Sequence, residues 1–111
     1  MVDYYPDKWV VIQISTDDET RYPSYKVFGS WHGGYLDGDS WRMNSGIKSV
    51  SVDGDLILFE GFSGSTYHCH KDTYGMSSFA SGVMANLIEK ASVEVAILDE
   101  DTDWLNLGVL L

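Results

Sequence analysis

The sequence predicts an α+β fold, in which a twisted antiparallel sheet of about five or six strands packs one amphipathic helix on one face. Before residue 71, apolar residues run or alternate with the period of two that is typical of strands, and glycine-rich turns separate the runs. From Met76 to Ala91 the apolar period changes to 3.6, which lines one face of a helix. A chain of 111 residues fits one core, so residues 1–111 are predicted to form a single globular domain.

Two strands are predicted in the first third of the chain. The segment Lys8–Ser15 reads KWVVIQIS, and its low polarity predicts a strand that is buried on both faces. Ser24–Trp31 is its predicted partner, because its apolar residues alternate along the segment. The segment from His32 to Ser45 contains three glycines and favours an irregular loop.

A three-stranded antiparallel meander is predicted between Gly46 and His70. Its first two strands flank the pair Asp53-Gly54, which favours a hairpin with a type I′ turn. The second strand contains four apolar residues in succession, which predicts that it is the central one.

The helix after Met76 has two N-cap candidates, Ser77 and Ser78, and its apolar stripe is expected to pack on the sheet. A last short strand is predicted from Val93 to Ile97. The chain then ends in the apolar segment WLNLGVLL, which starts at Trp104. This tail must either pack on its own sheet or cover a partner subunit, since an exposed apolar patch of that size promotes association.

Composition narrows the classes of partner. The formal charge is −10, from 17 acidic and 7 basic residues, and the basic residues are scattered along the sequence. This charge argues against direct binding to nucleic acid or to an anionic membrane, and it favours a partner with a basic surface. The single cysteine excludes an intramolecular disulfide, and the first residues lack a secretory pattern, so a cytoplasmic location is expected.

The three histidines provide one candidate metal site. His68 and His70 are two apart in a predicted strand, so they point to one face, and His32 is the candidate third ligand. The sequence does not bring the three together, and packing with hydrogen bonding is the preferred interpretation, without a metal or cofactor. Cys69 points to the opposite face and is expected to be a buried apolar residue. Because no nucleophile, triad or phosphate loop is found, no enzyme activity is predicted.

Aromatic and acidic residues provide the candidate interaction surface. One glycine-rich loop combines three aromatic rings with two carboxylates, an arrangement that favours recognition, although the rings could also plug the end of the sheet. The two loop carboxylates lack the further oxygen ligands of a calcium site. A second acidic cluster precedes the apolar tail. The predicted partner-binding residues are Trp31, Tyr35, Asp37, Asp39, Trp41, Asp99, Glu100, Asp101 and Asp103.

Two segments carry a resemblance to a known family. The runs VFGSWHGGYLDGDSWRMNSGI (27–47) and GFSGSTYHCHKDTYG (61–75) resemble an uncharacterised family of small proteins of T-even-like tailed bacteriophages and cyanophages. The likeness extends from about Trp9 to Lys90. It implies a small accessory protein that acts on host machinery in the host cell cytoplasm, and it implies no catalytic residues.

Three functional hypotheses follow. The first is a protein that binds and inhibits or modulates a host defence or nucleic-acid-handling protein, in its sharpest form as a nucleic-acid mimic whose carboxylates line one surface. The second is a small-ligand or metal-binding module built from His32, His68, His70 and the aromatic loop. The third is a structural or assembly component, a homo-oligomer that self-associates through the tail after Trp104.

Overall fold

The computed structural model describes residues 2–15, 24–34, 38–91 and 94–107. Within these ranges the chain forms eight strands, two α-helices and one 3₁₀ helix at Lys71–Thr73. The helices are α1 (Ser78–Lys90) and α2 (Trp104–Leu107). In chain order the strands are β1 (Asp3–Tyr4), β2 (Lys8–Ser15), β3 (Ser24–Gly34), β4 (Gly38–Met43), β5 (Ile47–Asp53), β6 (Leu56–Gly61), β7 (Thr66–His70) and β8 (Glu94–Ile97).

The strands divide into two sheets of four. We name the sheet with the order β4-β3-β2-β8 the inner sheet, and the sheet with the order β1-β7-β6-β5 the outer sheet. Every pairing is antiparallel except that of β1 with β7, which is parallel. The α+β class with antiparallel sheets is therefore confirmed, with the strands shared between two sheets rather than joined in one of five or six.

Strand β2 is the common wall of two apolar cores. Trp9 and Val11 contact the core between the two sheets, whereas Val10 and Ile12 contact the core beneath α1. All four side chains are at most 2% exposed. Successive side chains of a strand point to opposite faces, so only a continuous apolar run can supply both cores. The prediction for Lys8–Ser15 is confirmed in its bounds and in its burial.

The first core fills the space between the sheets. It is made of Trp9, Val11, Tyr25 and Val27 from the inner sheet, Ile47, Ile57, Phe59, Tyr67 and Cys69 from the outer sheet, and Trp104 and Leu107 from α2. The described part of the C-terminal tail thus packs within the molecule, as one of the two predicted alternatives required. Residues 108–111 lie outside the described ranges.

The second core lies between the inner sheet and α1. Ser77 caps the helix, since its side-chain oxygen accepts a hydrogen bond from the backbone N–H of Ala80 at 3.2 Å. Ala80 and Met84 are buried against Val10, Ile12 and Phe28. The predicted cap and helix are confirmed and the helix packs on the sheet, but two apolar side chains of its stripe, Phe79 and Ile88, are 37% and 38% exposed. No described helix is long and apolar enough to cross a membrane.

The meander β5-β6-β7 is confirmed, with β6 in the centre, but its first turn lies one residue later than predicted. Asp53 pairs with Leu56, so the two connecting residues are Gly54 and Asp55. Gly54 has a φ of 60°, and no described residue other than glycine has a positive φ. A type I′ turn needs positive φ at both connecting residues, so these angles fit a type II′ turn, with glycine first.

The prediction of an irregular loop from His32 to Ser45 is wrong. Strand β3 continues to Gly34, and Gly38–Met43 returns beside it as β4, with a register shift between Trp31 and Gly34. Glycine weakens strand preference, but a hairpin forms because pairing with β3 outweighs that local cost. Gly38, the first residue of β4, has a φ of 66°, a left-handed backbone conformation that favours glycine.

Candidate interaction surface

Each histidine lies beside a different carboxylate. His68 Nε2 is 3.1 Å from Asp3 Oδ1, His70 Nδ1 is 3.9 Å from Asp72 Oδ2, and His32 Nδ1 is 3.6 Å from Asp39 Oδ1. The ring of His68 also stacks on Tyr5, with ring centres 4.4 Å apart. Within the described ranges, no group of three or more His, Cys, Asp or Glu residues is arranged to hold a metal ion. These contacts position the rings locally.

Cys69 points away from its two neighbouring histidines into the core between the sheets. It is 0% exposed, and burial raises the pKa of its thiol because the thiolate would be desolvated. The side chain therefore stays in the unreactive thiol form and packs as a small apolar group.

The two tryptophans of the β3–β4 hairpin lie on opposite faces of the inner sheet. Trp31 faces the outer sheet, where its Nε1 donates to the Tyr5 carbonyl at 3.0 Å and its ring meets Tyr4 edge-on. Trp41 faces the helix side, stacks on Phe28 with ring centres 5.4 Å apart, and is 40% exposed. Trp31 and Trp41 therefore do not form one aromatic patch.

The polar groups of the hairpin are engaged within the chain. Asp7 Oδ2 accepts a hydrogen bond of 2.7 Å from the backbone N–H of His32, and the His32 ring lies beside Asp39. Tyr35 and Asp37, also predicted to bind a partner, lie outside the described residues.

The second acidic cluster forms an exposed, ordered turn, which we name the acidic turn (Asp99–Asp103). The backbone N–H and the hydroxyl of Thr102 both donate to the Asp99 carbonyl, at 3.1 and 2.6 Å. The Asp103 carboxylate accepts a hydrogen bond from the Asn106 side chain and so belongs to the start of α2. Asp99, Glu100 and Asp101 are exposed, and none forms an ion pair with another described residue.

A cleft of about 210 Å³ opens beside the acidic turn. Three aromatic rings form its floor and wall: the ring centre of Trp9 is 4.7 Å from that of Tyr74 and 5.4 Å from that of Trp104. Lys71 and Glu100 bring opposite charges to the cleft. The full lining consists of Trp9, Ile57, Lys71, Tyr74, Glu100, Thr102 and Trp104.

The hydrogen bonds of two of these rings are complete. Tyr74 Oη accepts from the backbone N–H of Val11 at 3.3 Å and donates to the Leu98 carbonyl, and Trp9 Nε1 donates to the His70 carbonyl at 2.7 Å. Burial raises the pKa of the Tyr74 phenol, and the charges of Asp99 and Glu100 raise it further. The field of the acidic turn thus reaches the cleft.

Trp104 differs from these two rings. It is 8% exposed, yet its Nε1 donates to no acceptor in the described part of the chain. The one fully buried side-chain nitrogen or oxygen without a partner among the described residues is Asn44 Nδ2. Nε1 of Trp104 is therefore not fully buried and keeps its donor capacity, and Trp104 is one of the residues that line the cleft.

Those of the predicted partner-binding residues that the structure describes do not lie on one surface. Asp39 belongs to β4 and the acidic turn follows β8, and these two strands are the opposite edges of the inner sheet. Sequence analysis identified the acids of the turn but not the cleft beside them. The one available signal was the position of Trp104 directly after the acidic run.

No family model matches this chain, and no match is found among curated proteins or among solved structures. The resemblance to the phage family therefore stays a prediction from the sequence.

Proposed function

We propose that this protein is a small, acidic, phage-encoded protein that binds a host protein with a basic surface, and inhibits or modulates it in the host cytoplasm. The phage origin and the compartment rest on the resemblance of residues 27–47 and 61–75 alone. The binding function rests on the acidic turn.

The single observation that carries the proposal is that the acidic turn presents exposed carboxylates on a hydrogen-bonded backbone, with no ion-pair partner among the described residues. Asp99, Glu100 and Asp101 are exposed, while Thr102 holds their backbone in place. A turn that is already ordered loses little conformational entropy when it binds, so electrostatic attraction converts into affinity and a faster association rate.

The geometry favours a compact basic patch over a long nucleic-acid groove. Duplex DNA carries one negative charge per ~1.7 Å, so a mimic of its backbone needs carboxylates spaced along one surface. Asp39 and the acidic turn occupy opposite edges of the inner sheet instead. We therefore restrict the hypothesis of nucleic-acid mimicry to the small area that the acidic turn covers.

The test begins with capture of binding proteins from a lysate of a host of T-even-like phages, followed by direct measurement with the purified partner. We compare the wild type with the double variant Glu100→Gln/Asp101→Asn, which leaves the structural Asp103 in place. We expect the variant to bind about tenfold more weakly, a loss of about 1.4 kcal/mol, and the wild-type affinity to fall as salt is added.

The matched control is Glu89→Gln/Glu94→Gln, which changes the net charge by the same amount at exposed positions of α1 and β8. It is expected to bind within twofold of the wild type. Equal losses in both double variants would mean that only net charge matters, and unchanged binding in the first would exclude the acidic turn as the binding site.

The two alternative functions have fewer observations behind them. A metal site would need His32, His68 and His70 together, whereas each has its own carboxylate neighbour. Self-association through the tail would need apolar side chains on the surface, and of the described ones Leu105 is 54% exposed while Trp104 and Leu107 are buried. Metal analysis and light scattering of the purified protein test these alternatives directly.

A further inference from the structure

We propose that the cleft receives one arginine side chain of the partner, which stacks against Tyr74 and Trp104 and pairs with Glu100. This inference rests on the proposed function and names the chemical group that the site recognises.

Size is the first argument for a single side chain. The cleft, at about 210 Å³, is smaller than the roughly 300–1,000 Å³ of most small-molecule sites. The cleft therefore suits one projecting residue of a protein better than a cofactor.

The lining selects a planar cation. Aromatic side chains attract cations, and guanidinium stacks on them better than the strongly hydrated ammonium group of lysine does. Glu100 supplies the carboxylate, which the guanidinium group can meet with two parallel hydrogen bonds. Asp99 adds negative charge close to Tyr74.

Lys71 opposes the binding of a cation from within the same lining. Its backbone N–H donates to the Asp55 carbonyl, which holds the main chain in place, and its side chain is exposed and makes no ion pair with a described residue. Removal of this charge should strengthen binding of arginine. Lys71 therefore provides a variant with an effect of opposite sign to that of Glu100→Gln.

The experiment titrates the purified full chain with a blocked Gly-Arg-Gly tripeptide and follows the indole N–H signals by NMR. Matched peptides carry citrulline, which is planar but neutral, or lysine in place of arginine. We expect the Trp104 signal to move to saturation with the arginine peptide while the Trp41 signal stays in place. The citrulline peptide should bind at least tenfold more weakly, and the lysine peptide severalfold more weakly.

Two variants complete the test. Glu100→Gln should weaken binding of the arginine peptide about tenfold, and Lys71→Gln should strengthen it severalfold, with unchanged unfolding temperatures because both side chains are exposed. Equal binding of the arginine and citrulline peptides, or movement of Trp41 alone, would overturn the inference.

The two proposals fail in different ways. If Glu100→Gln/Asp101→Asn loses the host partner but the arginine peptide leaves Trp104 unmoved, the acidic turn binds without the cleft and this inference is wrong. If the peptide binds in the cleft but partner binding is unaffected by the double variant, the cleft binds arginine but is not used by the partner, and the proposed function is wrong.

Discussion

The β3–β4 hairpin and the acidic turn both combine aromatic rings with carboxylates, but they use them in opposite ways. In the hairpin, the Trp31 indole donates within the chain, Trp41 stacks on Phe28, and His32 lies beside Asp39. At the turn, the carboxylates of Asp99, Glu100 and Asp101 are exposed and form no ion pair with a described residue, and the indole of Trp104 donates to no described acceptor.

The difference shows that residue type alone does not identify an interaction surface. Both regions attract attention in the sequence for the same reason, since aromatic and acidic residues favour recognition. What separates them is whether the hydrogen-bonding and charge capacity of those residues is already satisfied within the chain. Unsatisfied but ordered polar groups are the better indication, because binding can satisfy them at little entropic cost.

The largest expected difference between the two regions is in the free energy of unfolding that is lost when one tryptophan of each is replaced by alanine. Trp104 is 8% exposed within the first core, so Trp104→Ala should lower the free energy of unfolding by about 3–5 kcal/mol. Trp41 is 40% exposed, so Trp41→Ala should cost about 1 kcal/mol, mainly from its stacking on Phe28. Urea unfolding measures both, and equal losses would contradict the distinction.

Alkaline pH should destabilise the protein through Tyr67 of β7, which is buried in the core between the sheets. Burial raises the pKa of Tyr67 from 10.0 to about 12, against a smaller lowering by Arg42. Because the folded pKa is the higher one, this stability is fully present below pH 10 and is lost as pH rises through about 12. The loss is roughly 2–3 kcal/mol at about 1.4 kcal/mol for each pH unit.

Urea unfolding at a series of alkaline pH values measures this loss. Tyr67→Phe should flatten the decline, whereas Tyr5→Phe, which removes a phenol that is 61% exposed, should leave it unchanged. An equally steep decline in Tyr67→Phe would assign the effect to another group, such as the buried Cys69 thiol, whose pKa is raised in the same direction.

A smaller effect is expected from Tyr74→Phe, which removes one hydroxyl from the cleft. The backbone N–H of Val11 and the carbonyl of Leu98 both lose their side-chain partner, which should cost about 1–2 kcal/mol. Amide hydrogen exchange at Val11 should accelerate in the variant. If the unfolding energy and this exchange rate are both unchanged, the bridge between β2 and the residue after β8 has no stabilising role.

The charge of Arg42 in the hairpin and the charges of the acidic turn should shift the pKa of the phenol near each of them in opposite directions. Arg42 lowers the pKa of Tyr67, whereas Asp99 and Glu100 raise that of Tyr74. Arg42→Met should therefore raise the first pKa, and Asp99→Asn/Glu100→Gln should lower the second, because each variant removes the charge that causes the shift. NMR titration of the tyrosine rings measures both shifts, and shifts of the same sign would contradict the comparison.

The smallest effect is expected for the contact between His32 and Asp39 in the hairpin. The His32 side chain is 89% exposed, and surface ion pairs contribute little, so His32→Ala should change the unfolding energy by less than about 0.5 kcal/mol. Partner binding should stay within twofold of the wild type. A tenfold loss of binding would move the interaction surface to the hairpin.

The elements that could be predicted are those with a strong local period. Lys8–Ser15, the β5-β6-β7 meander and the helix cap at Ser77 follow from short-range patterns, and the structure confirms them. Strand β4 could not be predicted, because its glycines signal a loop and only pairing with β3 reveals the strand. The division of the strands into two sheets also could not be predicted from the spacing of apolar residues, since no short segment of sequence specifies the order of strands in a sheet.

The acidic residues of the candidate site could be identified from the sequence, but the cleft could not. Its lining comes from Trp9, Ile57, the segment 71–74 and the segment 100–104, which are brought together only by the packing of the two sheets. A periodic pattern reports which side chains share a face of one element. It does not report which faces of distant elements meet.

Tyr74 contacts the core between the sheets and also the core beneath the helix. A guest that immobilises this ring would tighten both halves of the molecule at once, so its effect would extend to amide protection in α1, on the other side of the inner sheet. Binding in the cleft is then expected to stabilise both cores together, and slower amide exchange in α1 would report that the cleft is occupied.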